Sequence, residues 1–169
     1  MTKPDGLCGV SCGSSHIFAK LSEARNFRRQ LNKHIVSHWS YYKNKINFPY
    51  ERQVGVNGET AVFTEPFDFQ NFLQSPDSDL LWTDTEEILA MCNQYQMTTT
   101  IIKIVGDNNT LPFVTQVHPD PDILQLGLPN TSLISSGKLP AMFLLLQGAH
   151  YELSVPRIII LEKHSINQN

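Results

Sequence analysis

Cys8, Cys12 and His16 stand four residues apart in the segment PDGLCGVSCGSSH. On a helix they would share one face, with about one turn between neighbours. Three chemistries fit that arrangement: a metal ladder, a redox pair, or one nucleophilic cysteine beside a packed neighbour. Zinc ordinarily takes four ligands, and its structural sites combine a tight C-x2-4-C turn with a distant second pair. The sequence has no such second pair. His34 and His38 in HIVSH have ligand spacing, but the glutamate of a metalloprotease helix is missing. No metal and no cofactor is therefore expected. The redox reading is also weak, because C-x-x-x-C is not C-x-x-C and the flanking residues lack a βαβ pattern.

The nucleophile reading has more physics behind it. Gly6 suits a tight loop whose amides turn inward. If a helix starts at Cys8, its thiol faces unpaired N–H groups and the positive end of the dipole, which favours the reactive thiolate. Backbone amides from Asp5 to Cys8 could also hold a developing oxyanion. Cys12, one turn further in, is better read as a small buried residue. A nucleophilic cysteine needs a base and a group that orients the base. Of the six histidines, His150 opens an apolar segment, HYELSV. On a strand, His150 and Glu152 would project from the same face, so a carboxylate could bind one ring nitrogen and leave the other for a thiol.

These residues must be held by a frame that the sequence also outlines. A helix is expected from Cys8 to about residue 20, although Gly9 and Gly13 weaken it. Residues 23–44 read as a second helix with Phe27, Leu31, Ile35, Trp39 and Tyr42 as its buried stripe. Arg25, Arg29 and Lys33 form its solvated face. From 47 to 79 the chain reads as irregular, punctuated by Pro49, Gly55, Gly58, Pro66 and Pro76 and interrupted by one short helix, FDFQNFLQ. TDTEEILAMCNQY begins another helix, with Thr83 and Glu86 at capping-box spacing and Cys92 on its packing face. TTTIIKIV, GDNN and FVTQV read as a hairpin, 119–138 as a loop, and AMFLLLQ, HYELSV and RIIILE as closing apolar segments. Helices early and strands late make an α+β fold.

The bulk composition excludes several classes. With 169 residues, 41% hydrophobic and 17% charged, the chain can form one domain with a real core. A formal net charge of -3 gives no reason to expect nucleic acid as partner, and no apolar run is long enough to span a membrane. Three cysteines make no disulfide framework, so an intracellular, cytoplasmic setting is expected. The chemistry-bearing segment starts almost at Met1, which suggests a single domain over 1–169 excised from a longer polypeptide.

Four segments together resemble the OTU (ovarian tumour) family of cysteine deubiquitinases. DGLC is similar to the family's D-G-x-C motif, and RRQLNKHIVSHWSYY to the arginine-led helix after it. LLWTDTEEILAMCNQYQMTTTIIKI resembles the W-G-x-x-x-E-l-x-A-l-A segment and its following strand, and GAHYELSV the terminal H-Y-x-x-v block. The resemblance implies a papain-like OTU fold with a small, mostly antiparallel central sheet flanked by helices. It implies Cys8 as nucleophile, His150 as general base and acid, and Glu152 as the residue that orients His150. The loop Asp5, Gly6, Leu7 and Cys8 would form the oxyanion hole, with Asp5 also available as polar support, and Trp82 and Glu86 would be structural. Ubiquitin, polyubiquitin or a ubiquitin-like modifier would be the partner.

The chain departs from the family pattern in two places. Gly9, Val10 and Ser11 stand where the family has a bulky apolar residue, often followed by aromatic and arginine residues. Glu152 stands where it most often has Asp or Asn. Alternatives to a deubiquitinase are a polyprotein-processing cysteine protease, a ubiquitin-binding pseudoenzyme, and an interaction domain with accidental motifs.

Overall fold

The computed structural model describes residues 7–18, 23–104, 113–124, 141–147 and 150–154. Asp5, Gly6, the GDNN turn, most of the 119–138 loop and RIIILE lie outside the described residues.

The first helix, α1 (Cys8–Phe18), begins at the candidate nucleophile. The two glycines that weaken it in isolation are what let it pack. A Cβ on Gly9 would meet the Thr83 side chain, and one on Gly13 would meet Met91 and Phe27. Close approach to its neighbours replaces the lost propensity, since buried packing supplies most helical stability in proteins.

The expected second helix is two helices, α2 (Ala24–Ser37) and α3 (Trp39–Tyr42). The break falls at His38, whose backbone leaves helical geometry (φ -115°) and whose Nδ1 lies 2.9 Å from the His34 carbonyl oxygen. The apolar stripe is as expected: Phe27, Leu31, Ile35 and Tyr42 are buried, and Trp39 packs at the core's edge. Arg25, Arg29 and Lys33 are exposed, and Arg29 pairs with Asp79.

The stretch expected to be irregular contains a β-hairpin, β1 (Tyr50–Val54) and β2 (Glu59–Phe63), paired antiparallel with Arg52 opposite Ala61. Gly55 and Gly58 take positive φ in its turn, as glycine does without strain. The strands were hidden because the core-facing position is an arginine: Arg52 is buried, so apolar alternation is absent. The short helix α4 (Pro66–Gln74) follows, then a 3-10 turn, Pro76–Leu80.

Helix α5 (Thr85–Tyr95) starts one residue later than expected. Its N-cap is Asp84, in a capping box with Glu87, rather than Thr83 with Glu86. Thr83 instead turns toward α1. Cys92 is fully buried in the core, as its packing role requires.

Strands β3 (Thr98–Ile104) and β4 (Phe113–Val117) form the expected antiparallel hairpin. A four-residue helix, α6 (Pro121–Leu124), places Ile123 in the core. Strands β5 (Ala141–Gln147) and β6 (His150–Ser154) complete a four-stranded sheet ordered β4-β3-β5-β6. Among the described strands of this sheet only the β3–β5 pairing is parallel, so it is mostly antiparallel. The core lies between it and α1, α2 and α5, around Val10, Phe27, Leu31, Met91, Met142 and Leu144. The arrangement is α+β, and it brings the N-terminus of α1 against β6, the last described strand.

Candidate active site

Residues 8 and 151 meet in this contact. The Tyr151 N–H donates to Cys8 Sγ at 3.3 Å, and the Tyr151 carbonyl lies 3.7 Å from Cys12 Sγ, accepting from that thiol. One residue of β6 thus engages both cysteines of α1. Strand alternation explains the geometry: Tyr151 points into the core, and His150 and Glu152 project from the other face.

The two thiols differ in environment. Cys12 is fully buried, and burial, with the neighbouring Cys8 adding to it, pushes its thiol up to about 12. It stays protonated near neutrality and acts as a donor to β6. Cys8 sits at the first helical position, where the leading amides have no acceptor within the helix. The Leu7 carbonyl accepts the first intrahelical bond, from Ser11 N–H at 2.7 Å, and the Leu7 side chain is buried. Leu7 and Cys8 therefore form the start of the helix, tied into it by this bond. Asp5 and Gly6, the rest of the expected oxyanion loop, lie outside the described residues.

His150 and Glu152 are brought together. His150 Nε2 lies 3.7 Å from Glu152 Oε1, with the histidine side chain 23% and the glutamate side chain 43% exposed. This is ion-pair distance and longer than a hydrogen bond. Nδ1 is the buried nitrogen of the ring. His16, the third member of the ladder Cys8–Cys12–His16, is exposed, while both cysteines are buried. Among the described residues no group of three or more His, Cys, Asp or Glu side chains is placed to hold a metal ion. His34 and His38 stack on each other with ring centroids 4.5 Å apart, and His34 Nε2 lies 3.0 Å from the Tyr42 hydroxyl. They serve the α2–α3 junction.

Beneath the helix start is a buried ionic cluster that sequence reasoning missed. Arg28 and Arg52 are both buried, and both reach the fully buried carboxylate of Glu87, Arg28 Nη1 at 3.3 Å and Arg52 Nη2 at 2.9 Å. Burial alone would raise the Glu87 carboxyl, but Arg52 and then Arg28 hold it below the usual carboxylate range. Burial lowers Arg28 to about 10 against the opposing pull of Glu87. The structural carboxylate expected at Glu86 is thus chiefly Glu87. Glu86 accepts from the Tyr50 hydroxyl, and burial, then Glu87, raises it. Trp82 is structural as expected: its indole N–H donates to the Gly55 carbonyl at 2.7 Å. The missed signal was an arginine on the buried face of α2, Arg28, together with a carboxylate at the third position of α5, Glu87.

A cleft of about 320 Å³ adjoins the site through Thr83 and Tyr151, and Trp82, Asp84, Glu51 and Leu146 also line it. A larger one, about 520 Å³, lies between α2 and the 75–79 segment and contains none of the candidate catalytic residues. No described helix is long and apolar enough to cross a membrane.

No family model matches the sequence, and no curated protein sequence is significantly similar to it. Solved structures are similar in fold. The OTU domain of OTUD1 superposes with a TM-score of 0.58 at 20% identity, over 90% of this chain and 81% of that one. The viral OTU domain protease from Dera Ghazi Khan virus gives 0.55 at 18% identity, over 90% and 76% of the two chains. That from Taggert virus gives 0.56 at 14% identity, over 93% and 78%. With Cys8 at the head of α1 against a strand carrying His150, the chain has the fold of the OTU domain.

Proposed function

We propose that this chain is a cysteine-dependent hydrolase that cleaves the peptide or isopeptide bond after the C-terminal glycine of ubiquitin. The observation that carries this reading is the contact between Cys8 at the start of α1 and β6, the strand that presents His150 and Glu152. The OTU fold of its structural neighbours, two of them described as proteases, supports it.

In this mechanism His150 takes the thiol proton of Cys8 through Nδ1, and the thiolate attacks the scissile carbonyl. Backbone amides between Asp5 and Cys8 hold the tetrahedral oxyanion. His150 protonates the leaving lysine amine, and water, deprotonated by the same imidazole, releases the ubiquitin carboxylate. Glu152 stabilises the imidazolium through Nε2. Cys12 takes no part.

The test is reaction with ubiquitin carrying a thiol-reactive electrophile at its C-terminus, followed by peptide mapping. A single adduct on Cys8 is expected. No adduct on folded protein would remove the deubiquitinase reading, and an adduct on Cys12 would overturn the assignment of the nucleophile.

A further inference from the structure

We propose that Thr83 is a positioning residue for Cys8: its hydroxyl, held by buried Arg28, fixes the first turn of α1, and Gly9 leaves the room that Thr83 occupies. This deepens the reading of Cys8 as nucleophile and rests on it.

The geometry is a continuous chain of contacts. Arg28 Nη1 lies 3.3 Å from Glu87, and Arg28 Nη2 donates to the Leu81 carbonyl at 2.7 Å and to Thr83 Oγ1 at 3.2 Å. Thr83 Oγ1 in turn accepts the Val10 N–H at 3.2 Å. Val10 is in the first turn, where an N–H has no acceptor within the helix and must find one elsewhere. The hydroxyl, with its two lone pairs, takes two N–H donors and ties the ionic cluster to a residue two positions from the nucleophile.

Gly9 completes the device. A Cβ at position 9 would lie 2.6 Å from Thr83 Cγ2 and 2.8 Å from Thr83 Cβ, separations that side chains do not tolerate. A threonine at 83 and a side chain at 9 exclude each other. The glycine that costs α1 helix propensity is the counterpart of the threonine that anchors it.

The experiment compares T83V, T83S, G9A and the double variant G9A/T83G. The pH profile of Cys8 alkylation by iodoacetamide is read by peptide mapping, and thermal stability is followed by circular dichroism. T83V keeps the volume and removes the hydroxyl. Its alkylation at neutral pH is expected to slow about fivefold, with the profile displaced to higher pH, the size expected for one lost helix-start hydrogen bond. T83S should retain the wild-type profile. G9A should lose stability, T83G should restore it in the double variant, and the double variant should keep the displaced profile because it lacks the hydroxyl. If T83V does not fold, the profile of the double variant decides the same point. A wild-type profile in T83V or in G9A/T83G, a T83S profile matching T83V, or a double variant no more stable than G9A would each overturn the proposal. Iodoacetamide needs no ubiquitin, so the result stands apart from whether ubiquitin is the substrate.

Discussion

The Tyr151 backbone joins β6 to both cysteines of α1: its N–H donates to Cys8 Sγ and its carbonyl accepts from Cys12. Under the proposed function the two thiols have different roles, and substitution should separate them. C8A should abolish the ubiquitin adduct and lower turnover at least about a thousandfold, as loss of a nucleophile does. C12A should keep the adduct on Cys8 and lose about 1–2 kcal/mol of stability from a small cavity and a missing donor. Peptide mapping and urea denaturation measure both. Loss of the adduct in a folded C12A would contradict the division of roles.

Glu152 sits at ion-pair distance from His150 Nε2 and is 43% exposed on its side chain. Water shares its charge, so its contribution is modest. E152A is expected to lower kcat on a fluorogenic ubiquitin C-terminal substrate about tenfold with KM unchanged, a loss in the transition state alone. Near-normal turnover would remove the orienting role.

Glu87 neutralises two buried guanidiniums. E87Q leaves Arg28 and Arg52 without their carboxylate, and a cost of about 3–5 kcal/mol is expected, enough to unfold a marginal domain. The Glu87 carboxyl is held below its ordinary range in the fold, so its stabilisation is present above the unfolded carboxyl value. It is lost as pH falls through the lower folded value. Chemical denaturation of E87Q beside wild type at neutral pH checks the magnitude, and a cost under about 1 kcal/mol would show the cluster to be energetically idle.

His34 acts in a milder acid window. Burial, and then the stacked His38, lowers it to about 4. The neutral ring is favoured in the fold, so the contribution of His34 is complete above about pH 6.5, its unfolded value. It declines as the unfolded chain takes up the proton and is lost as pH falls through about 4. The urea midpoint of wild type should fall between pH 7.5 and 5, and H34Q, which cannot titrate, should fall less. Parallel behaviour of the two proteins would exclude His34 as the cause.

Much of this was legible from residue patterns. Phe27, Leu31, Ile35 and Tyr42 repeat at helical spacing because one face meets the core, and that spacing survives the break at His38. That His150 and Glu152 share a strand face could be read because alternation is a local rule, whereas their link to Cys8 rested on the family resemblance of the motifs around them. The hairpin β1–β2 could not, because Arg52 fills its inward position and only a distant carboxylate makes that burial tolerable. The α5 cap was misplaced for a related reason. Thr83 and Asp84 are both good cap residues, and what decides between them is α1, more than seventy residues earlier, which takes the Thr83 hydroxyl. Gly9 and Gly13 read as flaws until Thr83, Met91 and Phe27 are seen beside them.

The contact between α1 and β6 also sets an order in time. Cys8 and Tyr151 are separated by 143 positions, and translation delivers the cysteine early and the strand late. A growing chain carries the thiol while neither His150 nor the Tyr151 amide yet exists, and closing so long a loop costs more chain entropy than a local contact does. Under the proposed function, a chain still lacking β6 would carry the Cys8 thiol without its general base His150.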